Sequence, residues 1–195
     1  MPRTPSAFSF AVMAVIGRDG ASGPELVQMA GGGAPFFWTG AGSHVLRTAR
    51  HLADDGYLST RTEPAKTRPR TVYELTDKGR DALRAWLAEP SEFPRIQHEG
   101  AIRLFASDLG DMTSVLASLH ALRDELARLE ALIEHHERRA DAIPHRALAL
   151  RLNHTLARRL IEAQRAWIDD VEAAYGPSSG KSDATRTDRR RPMGG

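Results

Sequence analysis

The chain has 195 residues, 41% of them hydrophobic and 27% charged, with a formal net charge of +2 and no cysteine. That length holds one domain with a substantial core or two small ones, and the balance is that of a soluble globular protein. The absence of cysteine excludes disulfides, thiolate zinc sites and cysteine nucleophiles, and it fits the reducing cytoplasm where the protein is expected. The net charge is +2 over residues 1–90, −3 over 91–175 and +3 over 176–195, so the acidic excess is central.

Arg3 and the apolar run "AFSFAVMAVIG" resemble a weak secretion signal, but Arg18-Asp19 follow the run and no small-x-small cleavage site is present. Phe8, Ala11, Val12, Val15 and Ile16 have helical spacing, which favours a core helix over about Pro5 to Gly17. "RDGASG" is read as a turn, and a second short helix starts at about Gly23 with Pro24 in its first turn. A third helix is expected over about Gly42 to Asp55, with Val45, Ala49 and Leu52 facing inward and Gly56 ending it. Tyr57 to Thr60 reads as a strand, residues 61–70 as a polar loop, and Val72 to Leu75 as the returning strand. Thr76 is the expected cap of a fourth helix through Ala88, with Leu83, Trp86 and Leu87 on its apolar side. Three short helices followed by a two-stranded hairpin describe a winged helix-turn-helix domain, here residues 1–90.

Residues 91–175 read as a helical domain. A short amphipathic helix is expected over Glu99 to Asp108, then a long one over about Thr113 to Arg139, with Leu116, Leu119, Leu122, Leu126, Leu129, Leu132 and Ile133 spaced by three and four. "ADAIP" breaks it, and a second long helix runs from about Pro144 to Tyr175 with Leu148, Leu152, Leu156, Leu160, Trp167, Ile168 and Val171. The fold class is therefore mainly α with a small β-hairpin: a winged helix-turn-helix plus a C-terminal antiparallel long-helix dimerisation arm. Such a hairpin has more apolar face than two helices bury, which invites a second copy. Leu116, Leu119, Leu126, Leu129, Leu156, Leu160 and Trp167 are the candidate dimerisation residues. Residues 176–195 read as a disordered basic tail. No segment is long enough to span a membrane.

Four blocks resemble the PadR family of bacterial transcriptional regulators: "ASGPELV" at 21–27, "VLRTARHLADDGYLS" at 45–59, "RPRTVYELTDKGRDALRAWL" at 68–87 and "EGAIRLFASDL" at 99–109. The third is the nearest match, with Arg-Pro-Arg, Tyr-x-Leu-Thr and the following glycine in order. Pro24 stands where the family has tyrosine, and Leu46-Arg47 stand where it usually has Tyr-Pro. The resemblance implies a homodimeric DNA-binding repressor whose long helices make the dimer and often sense a ligand, here a possible small aromatic effector against Trp86 or Trp167.

In a winged helix the third helix enters the major groove. Ser43, His44, Arg47 and Arg50 stand opposite the Val45/Ala49/Leu52 face as the candidate DNA-binding residues, where Arg47 can read guanine and Ser43 and His44 can contact phosphates or bases. Arg61, Lys66, Arg68 and Arg70 cluster in the expected hairpin loop, opposed by Glu63, and can meet phosphates or the minor groove. "EHHE" at 134–137 cannot chelate a metal from one helix segment, and neither a metal nor a cofactor is expected. No catalytic signature of the His-Glu-x-x-His, Gly-x-Ser-x-Gly or Rossmann kind occurs, so no enzyme is expected. The partners are thus double-stranded DNA and a second copy. The competing reading is a helical interaction or scaffold protein with a degenerate winged-helix head.

Overall fold

The Ser6 hydroxyl oxygen accepts from the Ser9 amide at 3.2 Å and caps the first helix, α1 (Ala7–Ile16). Gly17 closes it with φ of 58°, returning its amide to the Met13 carbonyl. This computed structural model describes residues 4–32, 42–64, 69–140 and 143–176. The chain divides into two compact units, Met1–Pro94 and Arg95–Gly195.

In the first unit α1 is followed by β1 (Ala21–Ser22), α2 (Gly23–Gly32), α3 (Gly42–Asp54), β2 (Leu58–Glu63), β3 (Arg70–Leu75) and α4 (Asp77–Leu87). The sheet has three antiparallel strands in the order β1-β3-β2, not the two the sequence suggests. Ala21 and Ser22, read as part of a turn, pair with Tyr73 and Val72. Two residues are too short for an alternation signal, so this strand leaves no trace in the periodicity. β2 also runs three residues further than expected, and β3 starts two residues earlier, with Glu63 opposite Arg70 and Leu58 opposite Leu75.

Strand alternation sorts the sheet into two faces. Ala21, Leu58, Tyr73 and Leu75 join the helical core with Met13, Ile16, Leu26, Ala49 and Leu52. The other face carries Arg61, Glu63, Arg70 and Glu74 around the buried Val72. α1 is apolar nearly all round. It buries Phe10 and Met13 besides Val12 and Ile16, so its core face is wider than the expected stripe. Of the apolar residues expected on α4, Leu83 and Trp86 pack on the core while Leu87 is exposed.

The second unit holds α5 (Glu99–Phe105), a 3₁₀ turn over Ser107–Leu109, α6 (Met112–Ala140), a second 3₁₀ turn over Pro144–Arg146, and α7 (Ala147–Tyr175). The Asp111 carboxylate caps α6 by accepting from the Thr113 and Ser114 amides, both at 3.1 Å, and these bonds hold its pKa below the usual carboxylate value. The α6–α7 hairpin has a seven-residue rhythm. Leu119, Leu126 and Ile133 from α6 meet Ala147, His154, Ile161 and Ile168 from α7. Ion pairs at the same period flank this seam. Arg123 donates to Asp169 (2.7 Å) and Glu172 (3.0 Å), Arg165 to Glu130 (2.6 Å), and Arg158 to Glu137. This ladder fixes the register in which the helices run past each other.

Candidate nucleic-acid interface

α3 is the best-defined part of the candidate interface. Val45, Ala49 and Leu52 are buried, as their spacing requires, and Ser43, His44, Arg47, Arg50 and His51 are all exposed. Two close approaches explain how α2 holds α3 in place. A Cβ on Gly42 would stand 2.8 Å from Val27 Cγ1, and one on Gly23 would stand 3.3 Å from Leu46 Cδ2. Half-buried Leu46 therefore packs toward the start of α2, leaving Arg47 beside it as the outward residue. The His44 ring stacks on Phe8 of α1 at 4.5 Å, which directs that ring toward α1. Ser43, Arg47 and Arg50 form the remainder of the outward face.

Of the four expected wing cations, Lys66 and Arg68 lie outside the described residues. The other two stand in the strands themselves, Arg61 within β2 and Arg70 as the first residue of β3. Both are engaged by carboxylates. Arg61 donates Nε–H to Glu74 (2.5 Å) and pairs with Glu63. Arg70 donates to Glu63 at 3.0 Å through Nε and lies 3.7 Å from Glu25 of α2. Glu25 and Glu74 therefore share with Glu63 the role of counter-charge. Cross-strand pairing makes this so, since Glu63 directly faces Arg70 and Glu74 lies diagonal to Arg61. Hydrogen bonds from Arg61 and then Arg70 hold the Glu63 carboxyl below its usual pKa. Glu25 is also held low, chiefly by the Ser22 hydroxyl (2.6 Å) and then by the Ser22 amide (2.7 Å).

Thr76 fastens the wing to the helices. Its hydroxyl oxygen accepts from the Gly79 amide at 3.1 Å while its proton faces the Gly56 and Tyr57 carbonyls at 2.8 and 3.0 Å. Lys78 reinforces the same corner, reaching the Asp55 carbonyl at 2.6 Å over the Tyr57 ring.

The expected dimerisation residues divide into two groups. Leu119 and Leu126 are buried inside the chain's own hairpin, so they are core residues with no surface to offer a second copy. Leu116, Leu129 and Trp167 are half-buried, while Leu156 and Leu160 are exposed. Leu148 and Leu152 continue that exposed row at 65% and 61% exposure, and Ile102, Phe105 and Leu109 stand out around α5. The two expected effector contacts each have a partner within their own unit. Trp86 stacks on Phe10 at 5.0 Å, and Trp167 meets His98 edge-on at 4.9 Å. His98 Nδ1 accepts from the Ala101 amide (2.9 Å) and caps α5, which leaves Nε2–H to donate to Gln164. Among the described residues no group of three or more histidine or acidic side chains is placed to hold a metal ion. Among them, too, no helix is long and apolar enough to cross a membrane.

Three helices, a wing and a long-helix hairpin in this order define a winged-helix fold of the PadR type. No protein-family model matches the chain. It is similar to *Bacillus subtilis* PadR solved in complex with operator DNA, with a TM-score of 0.70 and 16% identity over 86% of this chain and 96% of that one. It is also similar to the *Vibrio cholerae* virulence activator AphA, with a TM-score of 0.62 and 22% identity over 86% and 95% of the two chains. In sequence it is 26% identical over 183 residues to the probable transcriptional regulator Rv1176c of *Mycobacterium tuberculosis*, covering 86% of this chain and 97% of that one. *B. subtilis* PadR has also been solved with p-coumaric acid.

Proposed function

We propose that the chain is a sequence-specific DNA-binding transcriptional regulator, a ligand-responsive repressor that acts as a homodimer on a pseudo-palindromic operator in the cytoplasm. The observation that carries this reading is the outward face of α3. Ser43, Arg47 and Arg50 are all exposed opposite a fully buried Val45/Ala49/Leu52 stripe. A helix anchored on one side and rich in arginine on the other suits the major groove, where Arg47 reads guanine edges and its neighbours hold the backbone. The operator complex of a protein with the same fold supports this use of the fold.

Residues 1–90 act as the DNA-binding domain, residues 91–175 as the dimerisation and effector domain, and residues 176–195 as a basic tail. The exposed row Leu148, Leu152, Leu156 and Leu160 supports pairing through α7, because a second copy removes that apolar surface from water. A flat aromatic effector acting at Trp167 or Trp86 shifts the dimer between geometries that match or mismatch the operator. The p-coumaric acid complex of the *B. subtilis* protein supports an aromatic ligand. Footprinting the purified protein on the DNA upstream of its own coding sequence tests the reading. A protected two-part site with dyad symmetry is expected, and no protection at low salt would refute it.

A further inference from the structure

The outer face of the three-stranded sheet carries two glutamates and two arginines linked by ion pairs, and Glu25 of α2 joins them. Glu63 is central to them. Its carboxylate meets Arg61 from its own strand and Arg70 across the ladder, with 2.9 Å to the Arg70 guanidinium. Glu74 binds Arg61 from the far side, and Glu25 approaches Arg70 from α2. The described wing strands therefore balance two arginines with two glutamates, and Glu25 of α2 makes the cluster net negative. The Arg61 and Arg70 side chains stay 47% and 45% exposed, so a phosphate can reach them without unfolding the strands. Exposed pairs of this kind are weak and exchange readily.

We propose that Glu63 is a built-in competitor of the DNA backbone. It holds Arg61 and Arg70 in the free protein, and phosphates take them over on binding, so its charge sets the strength of sequence-independent DNA binding. Phosphate contacts carry no base information, so Glu63 tunes grip and not sequence preference. A weaker grip keeps a regulator from being sequestered on bulk DNA. This inference rests on the DNA-binding reading above and assigns a role to a residue on which that reading is silent.

The test is fluorescence anisotropy on the full chain with two labelled duplexes, one from upstream of its own coding sequence and one of shuffled sequence, over a series of salt concentrations. E63Q keeps the shape and removes the charge. It is expected to bind both duplexes about three- to tenfold more tightly, with a log–log salt slope steeper by up to about 0.9. E74Q, which frees Arg61 alone, should shift both in the same direction by less. E89Q removes an exposed carboxylate in the turn after α4 and should leave affinity within about twofold. Unchanged or weaker binding by E63Q, with a melting curve like that of the parent, overturns the proposal. If E63Q misfolds, the same result with E74Q overturns it, and so does equal tightening by E89Q. If the parent binds neither duplex at low salt, the DNA-binding reading falls and takes this one with it. The two failures are thereby distinguished.

Discussion

Replacing Gly79 by alanine tests how the wing is fastened to the helices. A Cβ built there would lie 2.1 Å from the Tyr57 carbonyl oxygen and 3.1 Å from its carbon. Carbon and oxygen keep about 3.3 Å apart even in C–H···O contacts, so one backbone must retreat by about 1 Å. The same carbonyl accepts from the Thr76 amide at 3.1 Å and faces the Thr76 hydroxyl at 3.0 Å, and that hydroxyl caps α4 through the Gly79 amide. Retreat therefore strains the cap and both carbonyl bonds together. Losing an N-cap costs about 1 kcal/mol and overpacking about 1–3 kcal/mol. Alanine returns up to about 1 kcal/mol in helix propensity. The balance is a loss of about 1–3 kcal/mol, which for a folding unit of this size lowers the melting temperature by about 10 °C. Thermal melting followed by circular dichroism reads this directly. T76A, which deletes the cap without adding an atom, should fall by only about 5 °C. A G79A protein that melts at or above the parent temperature would refute the close approach.

R47A should lower the preference for operator over shuffled DNA by about ten- to a hundredfold, measured as the ratio of two gel-shift affinities. R70A should instead weaken both duplexes alike and flatten the salt dependence, read from the same titrations at several salt concentrations. Asp at both Leu156 and Leu160 should raise the dimer dissociation constant by about a hundredfold or more, and light scattering at micromolar concentration should then report a monomer. His154 gives a pH prediction. Burial between α6 and α7 pushes its pKa below 6.5, against the attraction of Glu137, and its Nδ1 has no hydrogen-bond partner. The unfolded chain therefore takes up a proton first as pH falls. Stability of the hairpin should decline from about pH 6.5 down to the lower folded-state value and level off below it. Urea titrations across that range should show the slope in the parent and lose it in H154L.

The sequence disclosed the helices where their inward residues were large and apolar. Val45, Ala49 and Leu52 orient α3 correctly because all three side chains face one core. Thr76 was legible as a cap because the cap chemistry is local. β1 was not legible, since its two residues gain their strand character only from pairing with Val72 and Tyr73, some fifty residues on. The counter-charges Glu25 and Glu74 of the wing arginines are hidden in the sequence for a similar reason. Arg61 and Arg70 look free in a linear count, whereas the register that sets Glu63 opposite Arg70 exists only once the strands pair. Lys66 and Arg68 lie outside the described residues.

On α7 the leucine row and the positions that meet α6 follow different periods. Leu148, Leu152, Leu156 and Leu160 recur every four residues, and each step of four overshoots a helical turn by about 40°. The row therefore winds around the helix, and exposure falls along it from 65% at Leu148 to 40% at Leu160. The positions that meet α6 recur every seven residues, as Ala147, His154, Ile161 and Ile168, and the first two carry a small and a polar side chain that a search for leucines passes over. Leu148, Leu152, Leu156 and Leu160 lie off this seam and remain on the surface. Asp at Leu148 or Leu152 should thus weaken self-association without weakening the hairpin. Asp at Ile161 should do the reverse, unfolding the hairpin first, and denaturant titration beside light scattering separates the two.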